Sequence, residues 1–163
     1  MFDMTTIITG ERVGKNGRLG IGCSAFIFDA NRNKVLLARR ADNGKWAVPG
    51  GYMNSGESFS EACMREVFEE TGLEVSIRKL IGIYTSPNLL LEYPDGNKWQ
   101  LVVMHFEAEI TTGELTASDE TTEFGFFSWQ EINDLDMNGL DRKRVLDGFS
   151  QSMATIVNDE FIL

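Results

Sequence analysis

The sequence predicts an α+β fold: strands on both sides of one helix, further strands after it, and a helix near the end, arranged in layers. Three observations carry this. Residues 58–71 have an apolar stripe at helical spacing, with Phe59, Ala62, Cys63 and Val67 on one side. Residues 99–110 form a run whose middle is continuously apolar, as expected of a strand central in a sheet. The intervening segments alternate and are broken by Gly, Pro, Asn and Asp at turn spacing. With 163 residues and no linker or internal repeat, a single domain over 1–163 is expected.

The elements follow in order. Thr5 to Thr9 reads as a strand, and Gly14-Lys15-Asn16-Gly17 as a turn. Residues 20–29 and Lys34 to Arg39 read as the two arms of a hairpin, with Gly20 and Gly22 marking a bulge or a close backbone approach. Arg39 and Arg40 end the second arm, either as contacts to a phosphate or as surface charge. Pro49-Gly50-Gly51 is a glycine-rich loop leading to the helix at Ser58–Thr71, which Gly72 terminates. A long strand over 74–84, bent at Gly82, is stopped by Ser86-Pro87-Asn88. A short strand at 89–93 is followed by the turn Pro94-Asp95-Gly96-Asn97 and then by the central strand. His105 lies inside that strand and reads as a packed or hydrogen-bonded core histidine. A polar loop over 111–122 holds Glu114, Asp119 and Glu120. A last strand covers 123–129, a short helix 130–135, and a terminal helix begins at Asp141 and runs to about Val157. Its cluster Arg142-Lys143-Arg144 is flanked by acids and reads as solvated surface.

Composition narrows the function. A net charge of −10 argues against nonspecific binding to nucleic acid or to anionic membranes, which need a basic surface. It leaves room for a small phosphate-bearing substrate neutralised locally. Cys23 and Cys63 lack metal-ligand spacing and sit in apolar settings, as buried free thiols do. No apolar run is long enough to span a bilayer and the first residues lack a signal-peptide pattern, so the cytoplasm is the expected compartment.

The informative stretch is Gly51 to Leu73. On a helix at 100° per residue, Glu66, Glu69 and Glu70 fall within an arc of about 100°. They are like-charge neighbours at i,i+3 and i,i+4 spacing, at the end of the helix where the dipole prefers cations. A bound divalent cation removes that conflict, and all-oxygen ligands suit Mg²⁺ or Mn²⁺. Gly51, Glu57, Arg65, Glu66, Val67, Glu69, Glu70, Gly72 and Leu73 fill every fixed place of the Nudix box. At roughly 7% per residue type, a chance match is on the order of 10⁻⁶. The chain therefore resembles the Nudix hydrolases, the MutT-like pyrophosphohydrolases.

The resemblance implies an α/β/α sandwich around a central mixed sheet. It also implies metal-dependent hydrolysis of a phosphoanhydride in a nucleoside diphosphate linked to another moiety. Transferred by motif position, Glu69 and Glu70 become the main metal ligands, Glu66 a ligand or the general base, and Gly51 a carbonyl ligand. Arg65 orients the glutamates, and Glu57 supports the loop or reaches a second metal. A functional acid is also expected in the loop before the last strand, where Glu120 is preferred and Glu123 is second. Ser86-Pro87, 14 residues beyond Leu73, resembles the proline feature of ADP-ribose pyrophosphatases. Tyr84 and Trp99 are candidates to stack on a base. The expected substrate is ADP-ribose or a related nucleoside diphosphate sugar. The alternatives are a nucleoside triphosphate, including oxidised ones, and a nucleotide-binding module without catalysis. The expected partner is this small nucleotide alone, and a homodimer is the commonest assembly for such a chain.

Overall fold

The structure is a computed structural model and describes residues 5–158. Its elements are β1 (Thr6–Thr9), β2 (Arg18–Ile27), β3 (Lys34–Arg40), β4 (Trp46–Ala47), β5 (Gly50–Tyr52), α1 (Phe59–Thr71) and β6 (Leu73–Thr85). After them come β7 (Leu89–Glu92), β8 (Lys98–Gly113), β9 (Thr121–Ser128), α2 (Trp129–Ile132), α3 (Gly139–Ser150) and β10 (Ile156–Asn158). A large mixed sheet runs β1-β7-β8-β2-β5, with β6 beside β8 and β10 beside β6. Within it β2 and β8 are parallel, as are β6 and β10, and the other pairs are antiparallel. A second sheet has the order β4-β3-β9.

Alternation along β2 builds both layers. Cys23, Ala25 and Ile27 pack with Ala62, Cys63 and Val67 of α1. Phe26, from the other face, packs with Ile132 of α2 and Val145 of α3. The two helix layers thus cover opposite faces of the large sheet. β8 is central as expected, bordered by β2 on one side and by β7 and β6 on the other. The register of β6 slips between Leu80 and Gly82, where the bend was expected. Both cysteines are free and buried. Among the described residues no helix is long and apolar enough to cross a membrane.

Four expectations need correction. The turn after β2 closes as a hairpin turn does, with Asp29 N donating to Lys34 O and a bridge from Phe28 to Val35. Its arms then separate into different sheets, because β8 and β5 already occupy both edges of β2. The terminal helix stops at Ser150, where Gln151 takes a left-handed conformation. The β-branched Ile156 and Val157 then pair in parallel with Gly82 and Ile83. β8 runs on to Gly113, shortening the polar loop. Finally, Arg142 and Arg144 are not solvated surface, whereas the Lys143 side chain stays 43% exposed. Arg142 donates to the carbonyls of Ile132 and Leu135, Lys143 pairs with Asp147, and the Arg144 side chain is only 13% exposed.

Candidate active site

The site is assembled on α1 and the loop before it. Ser58 caps the helix: its hydroxyl accepts from Glu61 N while Glu61 accepts from Ser58 N. Gly72, in a left-handed conformation, ends it. The helix is thereby phased so that Glu66, Glu69 and Glu70 share one side near its C-terminal end. Arg65 is the hub. Its Nε lies 2.5 Å from Glu57 Oε1, and Nη1 lies 2.7 Å from Glu66 Oε1 and 3.2 Å from Glu69 Oε2. Nη2 donates to Tyr52 O at 2.9 Å and to Glu57 Oε2 at 3.0 Å. These contacts use all five N–H groups of the guanidinium. Arg65 therefore positions carboxylates and has no donor left for a substrate.

The same contacts set the protonation of the acids. The Arg65 hydrogen bonds, helped by the Asn54 amide, hold the Glu57 carboxyl down at about 2. Burial raises that of Glu66 against the opposing pull of Arg65. Burial pushes Glu70 up to about 8, opposed by the Gly50 amide and reinforced by the charges of Glu66 and Glu120. A helix carrying three carboxylates, two of them shifted toward their neutral forms, is short of positive charge.

The loop main chain supplies further polar groups. Ala25 N donates to Pro49 O and Met53 N donates to Ile21 O, so residues 49, 51 and 53 turn their main chain toward β2. Gly51 O accordingly accepts from Cys23 Sγ at 3.7 Å. Gly50 faces the other way, and its N–H donates to Glu70 Oε2 at 2.9 Å. The residue whose main chain is directed at the glutamates is therefore Gly50 rather than the expected Gly51. Gly51 matters for its missing side chain: a Cβ there would lie 2.3 Å from Glu66 Oε2.

The remaining predicted residues divide. Glu120 belongs to the acidic group, since its charge acts on both Glu66 and Glu70, and its carbonyl accepts from Ala41 N. Glu123 is instead paired with Arg39, whose Nε donates to Gly44 O. Arg40 is held by both oxygens of Asp42 and feels the charges of Asp141 and Glu70. Tyr84 is fully buried, with its hydroxyl donating to Asp147, and presents no face to a ligand. His105 is a buried core residue as expected, 2.7 Å from Ser24 Oγ through Nδ1. Sequence reasoning missed the support beneath the loop. Asp141 Oδ1 accepts from Val48 N and from Arg144 Nη2, and Arg144 Nη1 donates to Ser24 Oγ. Only the spacing of Asp141 and Arg144 on one helical face hinted at this pairing.

The sequence model described as NUDIX domain matches residues 18–149. The chain belongs to the NUDIX domain family. It is 35% identical over 120 residues to an ADP-ribose pyrophosphatase of Methanocaldococcus jannaschii, covering 72% of this chain and 66% of that protein. It is 28% identical over 121 residues to the nucleoside triphosphatase NudI of Escherichia fergusonii, covering 69% of this chain and 86% of that one. The chain thus spans just under two thirds of the archaeal relative's length. A solved Nudix hydrolase from Nitrosomonas europaea superposes with a TM-score of 0.68 at 24% identity, over 88% of this chain and 79% of that one, and shares its fold.

Proposed function

We propose that this Nudix protein hydrolyses the phosphoanhydride of ADP-ribose or a related nucleoside diphosphate sugar, using Mg²⁺ or Mn²⁺. The observation that carries it is the carboxylate group on α1, held by Arg65 and closed by the Gly50 amide. The donor set fits a hard cation: it is all oxygen, and its acids are short of positive charge. Among the described residues no three such side chains are already closed around a common point, because Arg65 holds Glu57, Glu66 and Glu69. Glu66, Glu69 and Glu70 would hold the metal, with the carbonyl of Gly50, on the same side of β5 as its N–H, in place of that of Gly51. Glu57 would support the loop or reach a second ion. When bound, the cation neutralises the diphosphate and acidifies a water.

The chain does the rest. Glu120, or Glu66 where it is not a ligand, accepts the proton of the attacking water. One P–O bond forms and the bridging P–O bond breaks, giving AMP and a sugar phosphate. Arg65 keeps Glu66 and Glu69 aimed. Arg40 is the better placed of the two arginines for substrate phosphate, since it already faces the field of Glu70. The choice of substrate is supported by the archaeal relative's description and by Ser86, which lies in a groove next to Pro87. The runner-up, a nucleoside triphosphate including oxidised ones, is supported by the similarity to NudI. A kcat/KM panel over ADP-ribose, nucleotide sugars, dinucleoside polyphosphates and triphosphates, run with metal and with excess EDTA, tests both. Turnover undiminished in EDTA would remove the metal assignment. A triphosphate preferred over ADP-ribose by about a hundredfold, roughly 2.7 kcal/mol of transition-state preference, would establish the runner-up.

A further inference from the structure

We propose that Ser24 is a positioning residue for the site: it carries the hold of α3 across β2 to Gly50, whose main chain faces the glutamates. Gly50 has no side chain by which to be held, and its pairing with β2 does not bond it. Ala25 N donates to Pro49 O and Met53 N to Ile21 O. The bonded pairs of β2 and β5 therefore fall at alternate residues, and the pair of Ser24 with Gly50 is a non-bonded one. In such pairs the two chains approach most closely, with Cα atoms about 4.5 Å apart. A Cβ on Gly50 would lie 2.7 Å from Ser24 Cα and 2.9 Å from Ser24 Cβ, and would also run into Cys23 O. Gly50 thus rests on Ser24 by direct contact. A displacement of Ser24 displaces the N–H that Gly50 gives to Glu70.

Ser24 is itself fixed from two sides. It is 1% exposed, and its hydroxyl lies 3.0 Å from Arg144 Nη1 and 2.7 Å from His105 Nδ1. A guanidinium can only donate, so the Ser24 oxygen accepts from Arg144 and its own proton goes to Nδ1. His105 then carries its proton on Nε2. Arg144 is tied in turn to Asp141 Oδ1 at 2.7 Å, and the same oxygen accepts from Val48 N, two residues before Gly50. The loop is therefore held twice from α3, at Val48 directly and at Gly50 through Ser24. A serine beside a histidine also suggests a nucleophile with its base, but the geometry does not fit that role. The hydroxyl is buried, its oxygen is engaged by a cation, and among the described residues no group orients the ring through Nε2. Removing the hydroxyl leaves an N–H of Arg144 and a nitrogen of His105 buried without a partner. Those two groups must then shift, and the strand segment under Gly50 shifts with them.

The inference rests on the hydrolase reading for the use made of Gly50, and its first test needs neither metal nor turnover. In the metal-free protein the Gly50 amide is followed by NMR, through its proton shift and its exchange with solvent. Ser24→Ala is expected to move that proton upfield and to speed its exchange by about fivefold, the worth of one ordinary hydrogen bond. Mn²⁺ titrated into the same variant and followed by electron paramagnetic resonance is expected to bind more weakly by about tenfold or more. Ser24→Thr keeps the hydroxyl and is expected to restore both readings. A serine that merely packs would lower Tm and move neither, so either reading left unchanged in folded Ser24→Ala overturns the proposal. Should Ser24→Ala fail to fold, His105→Phe takes away the acceptor of the Ser24 proton and leaves Arg144 in place. It is expected to move the Gly50 amide in the same direction by less, and an unmoved amide there overturns the proposal. A Gly50 amide that follows Ser24, in a protein that hydrolyses no nucleotide, would sustain the positioning role and remove the reaction. Metal-dependent hydrolysis with an unmoved Gly50 in Ser24→Ala would do the reverse.

Discussion

At the scale of single residues, Arg65 decides how the acids behave. It binds Glu57, Glu66 and Glu69 at once, so their carboxylates stay close despite their mutual repulsion. Glu66→Gln and Glu69→Gln are each expected to lower kcat by a factor on the order of 10² to 10⁴, with the circular dichroism spectrum unchanged. A near-unmodified rate in either variant would remove that residue's assigned role. Glu120→Gln should give a smaller but clear loss, and Glu123→Gln almost none, because Glu123 is engaged by Arg39 instead of facing the box. A crippled Glu123→Gln beside a silent Glu120→Gln would reverse the assignment. The glutamates were legible in the sequence because helical spacing is local and fixes which side chains share a face. Gly50 was not, because the direction of its main chain depends on how β5 pairs with β2, a long-range fact.

At the scale of elements, α3 supports the active loop from below. Asp141 is 5% exposed and accepts from Val48 N, from Asn138 Nδ2 and from Arg144 Nη2. Removing it leaves a loop amide and a guanidinium buried without their partner. Asp141→Ala is therefore expected to cost on the order of 3 kcal/mol, read from urea unfolding, and Asp141→Asn distinctly less because it keeps an acceptor for Val48 N. Equal losses in the two variants would show that the charge, not the bond to the loop, is what matters. The sequence concealed this support: a run of three basic residues flanked by acids looks the same whether it faces solvent or a partner. The hairpin expectation failed for a related reason. The turn chemistry of residues 29–33 was readable, but which strand edges remain open is decided by pairings far away in the chain.

At the scale of the whole molecule, the layers predicted from alternation and helical stripes are present, because apolar periodicity reports burial directly. The β8 run shows its central place, and His105 inside it was readable as core. What periodicity could not show is the state in which that histidine is buried. It has no exposure, its Nε2 has no hydrogen-bond partner among the described residues, and burial, then the nearby Arg144 charge, lower its pKa well below the usual 6.5. The unfolded chain binds a proton at this site below about pH 6.5, whereas the native one does not. The unfolded state thus carries more protons, and stability rises with pH up to about 6.5 with a slope approaching 1.4 kcal/mol per pH unit. Below the ordinary glutamate range Glu57 acts in the same sense, since its carboxyl is held at about 2 by Arg65 and that stabilisation is lost as the pH falls. Glu70 acts in the opposite sense in metal-free protein, because burial raises its carboxyl to about 8 and the native state there holds the extra proton. The net profile mixes these contributions, and His105→Phe isolates one of them. The urea stability of the unmodified protein minus that of His105→Phe, taken at matched pH from 5 to 8 without metal, should rise with pH up to about 6.5 and then level off. A difference independent of pH would mean that His105 accepts its proton in the folded state, and that the cavity around it admits a charge.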